Sequence, residues 1–122
     1  MASQNDLGFA SFLATGAISA FCVVDIQSDG TINVAANGAV GIGVLQEDVP
    51  VGYYGRVKLW TAPGTVMAAV SGTAVTPGTT YSIITGGFIG PVNGTTAPAY
   101  LKALQSGVAS NGIVLEFISN QI

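Results

Sequence analysis

The sequence predicts an all-β protein: a small β-barrel or β-sandwich built from two similar four-stranded halves, preceded by an extended N-terminal arm. Three observations carry this. After residue 20, short apolar runs alternate with Gly, Pro, Asn and Thr turn signals every 8–12 residues. No stretch there sustains a helical period. And the pattern of the first half returns in the second.

The elements follow in order. Residues 1–20, "MASQNDLGFASFLATGAISA", are small and polar, with Leu7, Phe9, Phe12, Leu13 and Ile18 as apolar points. Phe9, Phe12 and Leu13 have the spacing of one helical turn and Asp6 is placed to cap it, but Gly8 and Gly16 weaken a helix. This segment reads as the arm, residues 1–20, and the β-rich body as 21–122. "FCVVDI" (21–26) meets "SDG" and then "TINVA" (31–35), a hairpin signature, because Asp-Gly readily supplies the positive φ of a tight turn. "VGIGVLQ" (40–46) follows, then the loop "EDVPVGYY" and the alternating strand "RVKLWT" (56–61). In the second half come "VMAAV" (66–70), "YSIIT" (81–85) turning through Gly86-Gly87 into "FIGPV", then "AYLKALQ" (99–105) and "IVLEFIS" (113–119).

Side by side, the halves match as "FCVVD" with "YSIIT", "TI" with "FI", "VLQ" with "ALQ" and "RVKLW" with "VLEFI". That pairs Phe21 with Tyr81, Ile32 with Ile89, Gln46 with Gln105 and Lys58 with Glu116. Two such units would pack face to face, each covering the other's apolar surface.

Composition narrows the function. Apolar residues make up 49% of the 122, which suffices for a core, yet charged residues make up only 7%, against about 25% in typical soluble domains. A surface so poor in charge has little electrostatic protection against association, so much of it is expected to be covered by partners. With three Lys and Arg and a net charge of −3, no nucleic-acid footprint is expected. No run of about 20 apolar residues supports a transmembrane helix, and no membrane partner is expected.

The sequence offers little for catalysis. Histidine is absent and Cys22 is the single cysteine, so His-based triads and a Cys/His zinc site cannot be built from one chain. No metal, cofactor or catalytic residue is expected, and the reading is a non-enzyme. Glu47 and Asp48 are adjacent, and neighbours on an extended chain point apart, which makes a poor acid–base pair. "GAVGIG" (38–43) lacks the strand-to-helix context of a phosphate loop. What remains is the loop-and-strand stretch that gathers Glu47, Asp48, Tyr53, Tyr54, Arg56 and Trp60. Tyr, Trp and Arg are enriched at binding hot spots, so these six are the candidate oligomer or partner interface. The alternative is an adhesin-type module in which Tyr53, Tyr54 and Trp60 stack on carbohydrate.

The stretches "VGIGVLQEDVPVGYYGRVKLW", "SGTAVTPGTTYSIIT" and "ALQSGVASNGIVLEFI" resemble the small capsid decoration, or cement, proteins of tailed bacteriophages, over residues 20–119. The arm does not match at residue level. The resemblance implies a β-rich structural protein of the virion that sits on the outer surface of the head as a homotrimer. Its partners would be the major capsid protein and itself. On that reading the arm, through Leu7, Phe9, Phe12, Leu13 and Ile18, ties the body to the capsid.

Overall fold

The computed structural model describes residues 8–36, 39, 41–60, 65–70, 74–91, 101–107 and 113–119. Among these residues ten strands follow one another: β1 (Phe9–Leu13), β2 (Val23–Ile26), β3 (Ile32–Val34), β4 (Gly43–Leu45), β5 (Tyr54–Leu59), β6 (Val66–Val70), β7 (Thr80–Ile83), β8 (Ile89–Pro91), β9 (Leu101–Ala103) and β10 (Ile113–Ser119). One 3-10 turn, Thr85–Gly87, joins β7 to β8, and no α-helix occurs among the described residues.

The first five strands form a sheet in the order β1-β5-β4-β2-β3, and the last five close into a barrel, β10-β6-β8-β7-β9. Opened between β6 and β8, the barrel reads β6-β10-β9-β7-β8, the order of the first sheet. The closing contact is shared too: a parallel bridge joins Ala14 to Ile32 in the first unit, and Val70 pairs in parallel with Ile89 in the second. The internal repeat is therefore structural, with five strands in each unit rather than the expected four. The fifth strand is the one that opens each unit, β1 or β6.

This corrects the division at residue 20. Residues 9–13 are not an arm but β1, paired antiparallel with β5 from Phe9–Lys58 to Leu13–Tyr54. Ala14 and Ile18 are buried in the first core, and Ile18 exchanges backbone hydrogen bonds with Val49, both 2.9 Å. The helical spacing of Phe9, Phe12 and Leu13 misleads because Phe12 lies on the sheet's inner side, whereas Phe9 and Leu13 lie on its outer side. Leu7 lies outside the described residues.

The residue matching between halves also shifts. Ile26 pairs with Ile32 in the first unit as Ile83 does with Ile89 in the second. Val24, not Phe21, therefore occupies the place of Tyr81. The Phe21 amide donates to Leu45 at 2.7 Å, and its counterpart is Gly78, which donates to Ala103 at 2.8 Å. Glu47 Oε2 accepts the Arg56 amide at 3.1 Å, and Gln105 Oε1 accepts the Glu116 amide at 2.8 Å. So Glu47 corresponds to Gln105 and Arg56 to Glu116. Matching by side-chain type missed this, because hydrogen bonding sets register, whereas similar residues recur at several nearby positions.

Each unit has its own core. The first centres on Val24, Ile32, Leu45 and Val57, the second on Ile83, Ile89, Leu101 and Phe117. Val23 and Val44 alternate outward from the first core yet are fully buried, because they pack into the second. This explains why Val23-Val24 and Val44-Leu45 read as consecutive apolar residues rather than alternating ones. The contact is not two-fold: Lys102, the counterpart of Val44, is exposed, and Thr80, the counterpart of Val23, is only half-buried. On the facing side, a Cβ at Gly87 would lie 2.5 Å from the Val23 carbonyl oxygen, so this position admits only glycine.

The units also exchange a large residue for a small one. A Cβ on Gly55 would lie 2.4 Å from Val49, and a Cβ on Gly107 would lie 2.6 Å from Leu115. Val49 and Gly107 are equivalent through their bridges to Ile18 and Val75, and Gly55 and Leu115 face inward at equivalent places on β5 and β10. Each core fills the same space from opposite sides.

Candidate partner-binding face

Alternation on β1 and β5 sends Phe9, Ser11 and Leu13 outward together with Lys58, Arg56 and Tyr54. These residues are paired directly across the ladder. Inter-strand hydrogen bonds run through the even-numbered residues of β1: Leu59 donates to Gly8 at 2.8 Å and Ala14 donates to Tyr53 at 3.0 Å. The outward pairs are thus the non-hydrogen-bonded ones, in which side chains approach most closely.

The Arg56 guanidinium lies 4.7 Å from the centroid of the Phe9 ring, a cation–π contact. Lys58 Nζ lies 5.9 Å from the same ring and donates to the Thr65 carbonyl. The Thr65 hydroxyl in turn donates to the Glu116 carboxylate. This relay joins the outer side of β1–β5 to that of β6–β10, where Met67, Leu104 and Ile118 are exposed. At the tip, Val51, Tyr53 and Tyr54 are 62%, 64% and 68% exposed, among the most open large apolar side chains described.

Of the expected interface residues, Tyr53, Tyr54 and Arg56 share this face and its tip. Phe9 and Leu13, expected on the arm, join them. Glu47 and Asp48 are exposed but serve the backbone: Glu47 holds the Arg56 amide, and Asp48 Oδ1 accepts the Ala20 amide at 2.8 Å. They fix the β4–β5 loop on which the tyrosines stand. Trp60 belongs elsewhere. Its Nε1–H donates to the Gly41 carbonyl at 3.2 Å and its ring packs on the second core. Six residues of strand, about 20 Å, separate it from Tyr54, so Trp60 does not complete a stacking platform with the two tyrosines. Met67, Leu104 and Ile118 were not singled out from the sequence. Their signal was an apolar residue at an outward strand position, readable only once register is known.

Among the described residues no group of three or more His, Cys, Asp or Glu is placed to hold a metal ion. The Cys22 thiol is buried, and burial, with a smaller push from Asp48, raises its pKa. It stays protonated and weakly nucleophilic. Asp29 has the opposite shift. The Thr31 hydroxyl donates to its carboxylate at 2.6 Å and the Thr31 amide at 3.1 Å, which lowers its pKa. That pair fixes the β2–β3 turn, where Gly30 takes φ 86° as the Asp-Gly reading requires.

The chain matches no protein-family model and no curated protein sequence. Among solved structures it is similar to the N base of head fiber gp8.5 of bacteriophage phi29, with a TM-score of 0.74 at 15% identity over 92% of each chain. At that identity the likeness shows the fold: this chain has the architecture of that head fiber base.

Proposed function

We propose that this chain is a virion structural protein that binds the outer surface of a phage head and stabilises contacts between capsomers, acting as a homotrimer and without enzymatic activity. The observation that carries this is the outward β1–β5 face, where Tyr54, Leu13, Phe9 and Arg56 stand together beside the exposed Val51–Tyr53 tip. Exposed aromatic and Arg clusters of this kind mark protein interfaces. Two supports are independent of it: the low charge content of the chain, and the fold shared with a head fiber base. The major capsid protein is the partner for this face.

Heads lacking the protein, mixed with purified chain and sedimented, test the reading. Wild type should pellet with the heads. Tyr54→Asp should fold normally, because the side chain is largely exposed, yet bind at least tenfold more weakly, the effect of a lost contact worth about 1.4 kcal/mol. Equal occupancy for the two proteins would remove this face from the reading, and no binding by wild type would remove the function itself.

A further inference from the structure

Strand β1 lies at an edge of its sheet. Because the even-numbered residues bond to β5, the N–H and C=O groups of Phe9, Ser11 and Leu13 point to the other side. The parity is confirmed just beyond the strand, where the Thr15 amide donates to Ile32 at 3.3 Å. At the end of the strand the Ala14–Ile32 bridge brings the Ile32 amide to the Leu13 carbonyl; among the described residues no partner meets the outward groups of Phe9 and Ser11 or the Leu13 amide. Exposed edges are usually guarded by charges, proline or a bulge, yet "FASFL" contains neither charge nor proline.

The second unit shows how such an edge is used. There the counterpart of Leu13 is Ala69, and its amide donates to the Phe21 carbonyl at 2.9 Å. A chain segment of the first unit thus covers the edge of β6. Among the described residues no segment covers the same edge of β1 at Phe9 and Ser11.

Two cations stand beside it, together with the Glu47 carboxylate that accepts the Arg56 amide. Arg56 and Lys58, two of the three bases in the chain, flank β1 on its outer face. Arg56 rests on Phe9 and meets no carboxylate at ion-pair distance among the described residues. We infer that the free edge of β1 receives an extended, acidic segment of the head-shell protein as an added strand, with its carboxylate on Arg56. This rests on the head-binding reading above and specifies how the binding is made. Main-chain bonds to Phe9, Ser11 and the Leu13 amide would supply affinity, and Arg56 would select an acidic partner.

The test uses full-length protein and heads lacking it. Ser11→Pro deletes the outward amide and puts a ring in the path of an added strand, while the bonds from Ala10 and Phe12 to β5 remain. Arg56→Glu reverses the charge on an exposed side chain and keeps the test available should the proline variant misfold. Each should bind heads at least tenfold more weakly than wild type. Hydrogen exchange supplies the second readout. In the free protein the amides of Phe9, Ser11 and Leu13 should exchange fast and those of Ala10 and Phe12 slowly; on heads the first three should become protected. If wild type binds heads while these amides stay unprotected, or both folded variants bind as well as wild type, the edge inference falls and head binding stands. If the three amides are already protected in free protein at high concentration, a second copy covers the edge and the inference is overturned. If wild type does not bind heads at all, both readings fall.

Discussion

Phe21 has φ 67°, and it alone among the described non-glycine residues has a positive φ. For a bulky L-residue this left-handed conformation costs roughly 1–2 kcal/mol. Its counterpart in the second unit, Gly78, takes φ 84° and is the residue that conformation favours. Phe21 is held there from three sides: its amide bonds to Leu45, its carbonyl accepts from Ala69, and its ring packs on the second core. Removing the half-buried ring should cost about 1–2 kcal/mol. Phe21→Ala and Phe21→Gly both lose that packing, but only Ala keeps the strain. Ordinarily glycine is the worse replacement by about 0.5–1 kcal/mol, through its unfolded-state entropy. Here strain relief should outweigh that term, leaving Phe21→Gly more stable than Phe21→Ala by about 0.5–1 kcal/mol. Urea denaturation midpoints at unchanged slope would measure the difference. Gly78→Ala serves as the control, since a Cβ there meets nothing within 4 Å and should cost only the strain. A glycine variant less stable than the alanine variant by about 0.5–1 kcal/mol, the ordinary entropy term, would show that the backbone at Phe21 stores no such energy.

Two further outcomes are expected from the cores and the turns. Gly55→Ala should destabilise by about 1–3 kcal/mol through overpacking against Val49, and Val49→Ala in the same chain should recover part of that loss; additive denaturation energies in the double variant would refute the packing account. The lowered pKa of Asp29 means its carboxylate stabilises the folded state above the ordinary carboxylate range, and that contribution disappears as pH falls through the lower folded value. Wild type should therefore lose more stability than Asp29→Asn on acidification below about pH 4, and parallel stability curves would refute it.

The repeat was legible because burial imposes alternation, and the same alternation recurs after Thr65. The Asp29-Gly30 hairpin was legible because its turn needs a particular backbone. The opening strand was not. "FASFL" has two phenylalanines on opposite faces, and an edge strand with one neighbour keeps both half-buried, so it shows neither a strand's alternation nor a helix's stripe. The tyrosines, Arg56 and Trp60 were all nominated from residue type; Tyr53, Tyr54 and Arg56 fall on one face and its tip, whereas the Trp60 ring packs on the second core. Residue type says what a side chain can do, and only its neighbours decide whether it is free to do it.

By itself, the sequence determined an all-β chain, its doubling, a turn at Asp29-Gly30 and a low charge content. These are local: alternation, turn chemistry and composition act over a few residues. Tertiary structure decided the rest. It drew β1 into the body, set the true correspondence between the units, buried Val23 and Val44 on a second side and gathered Phe9, Leu13, Tyr54 and Arg56 on one face. Each depends on which strands lie side by side and in what register, and one residue of slip would turn every side chain to the opposite face. That long-range choice is made by the packing of the whole molecule.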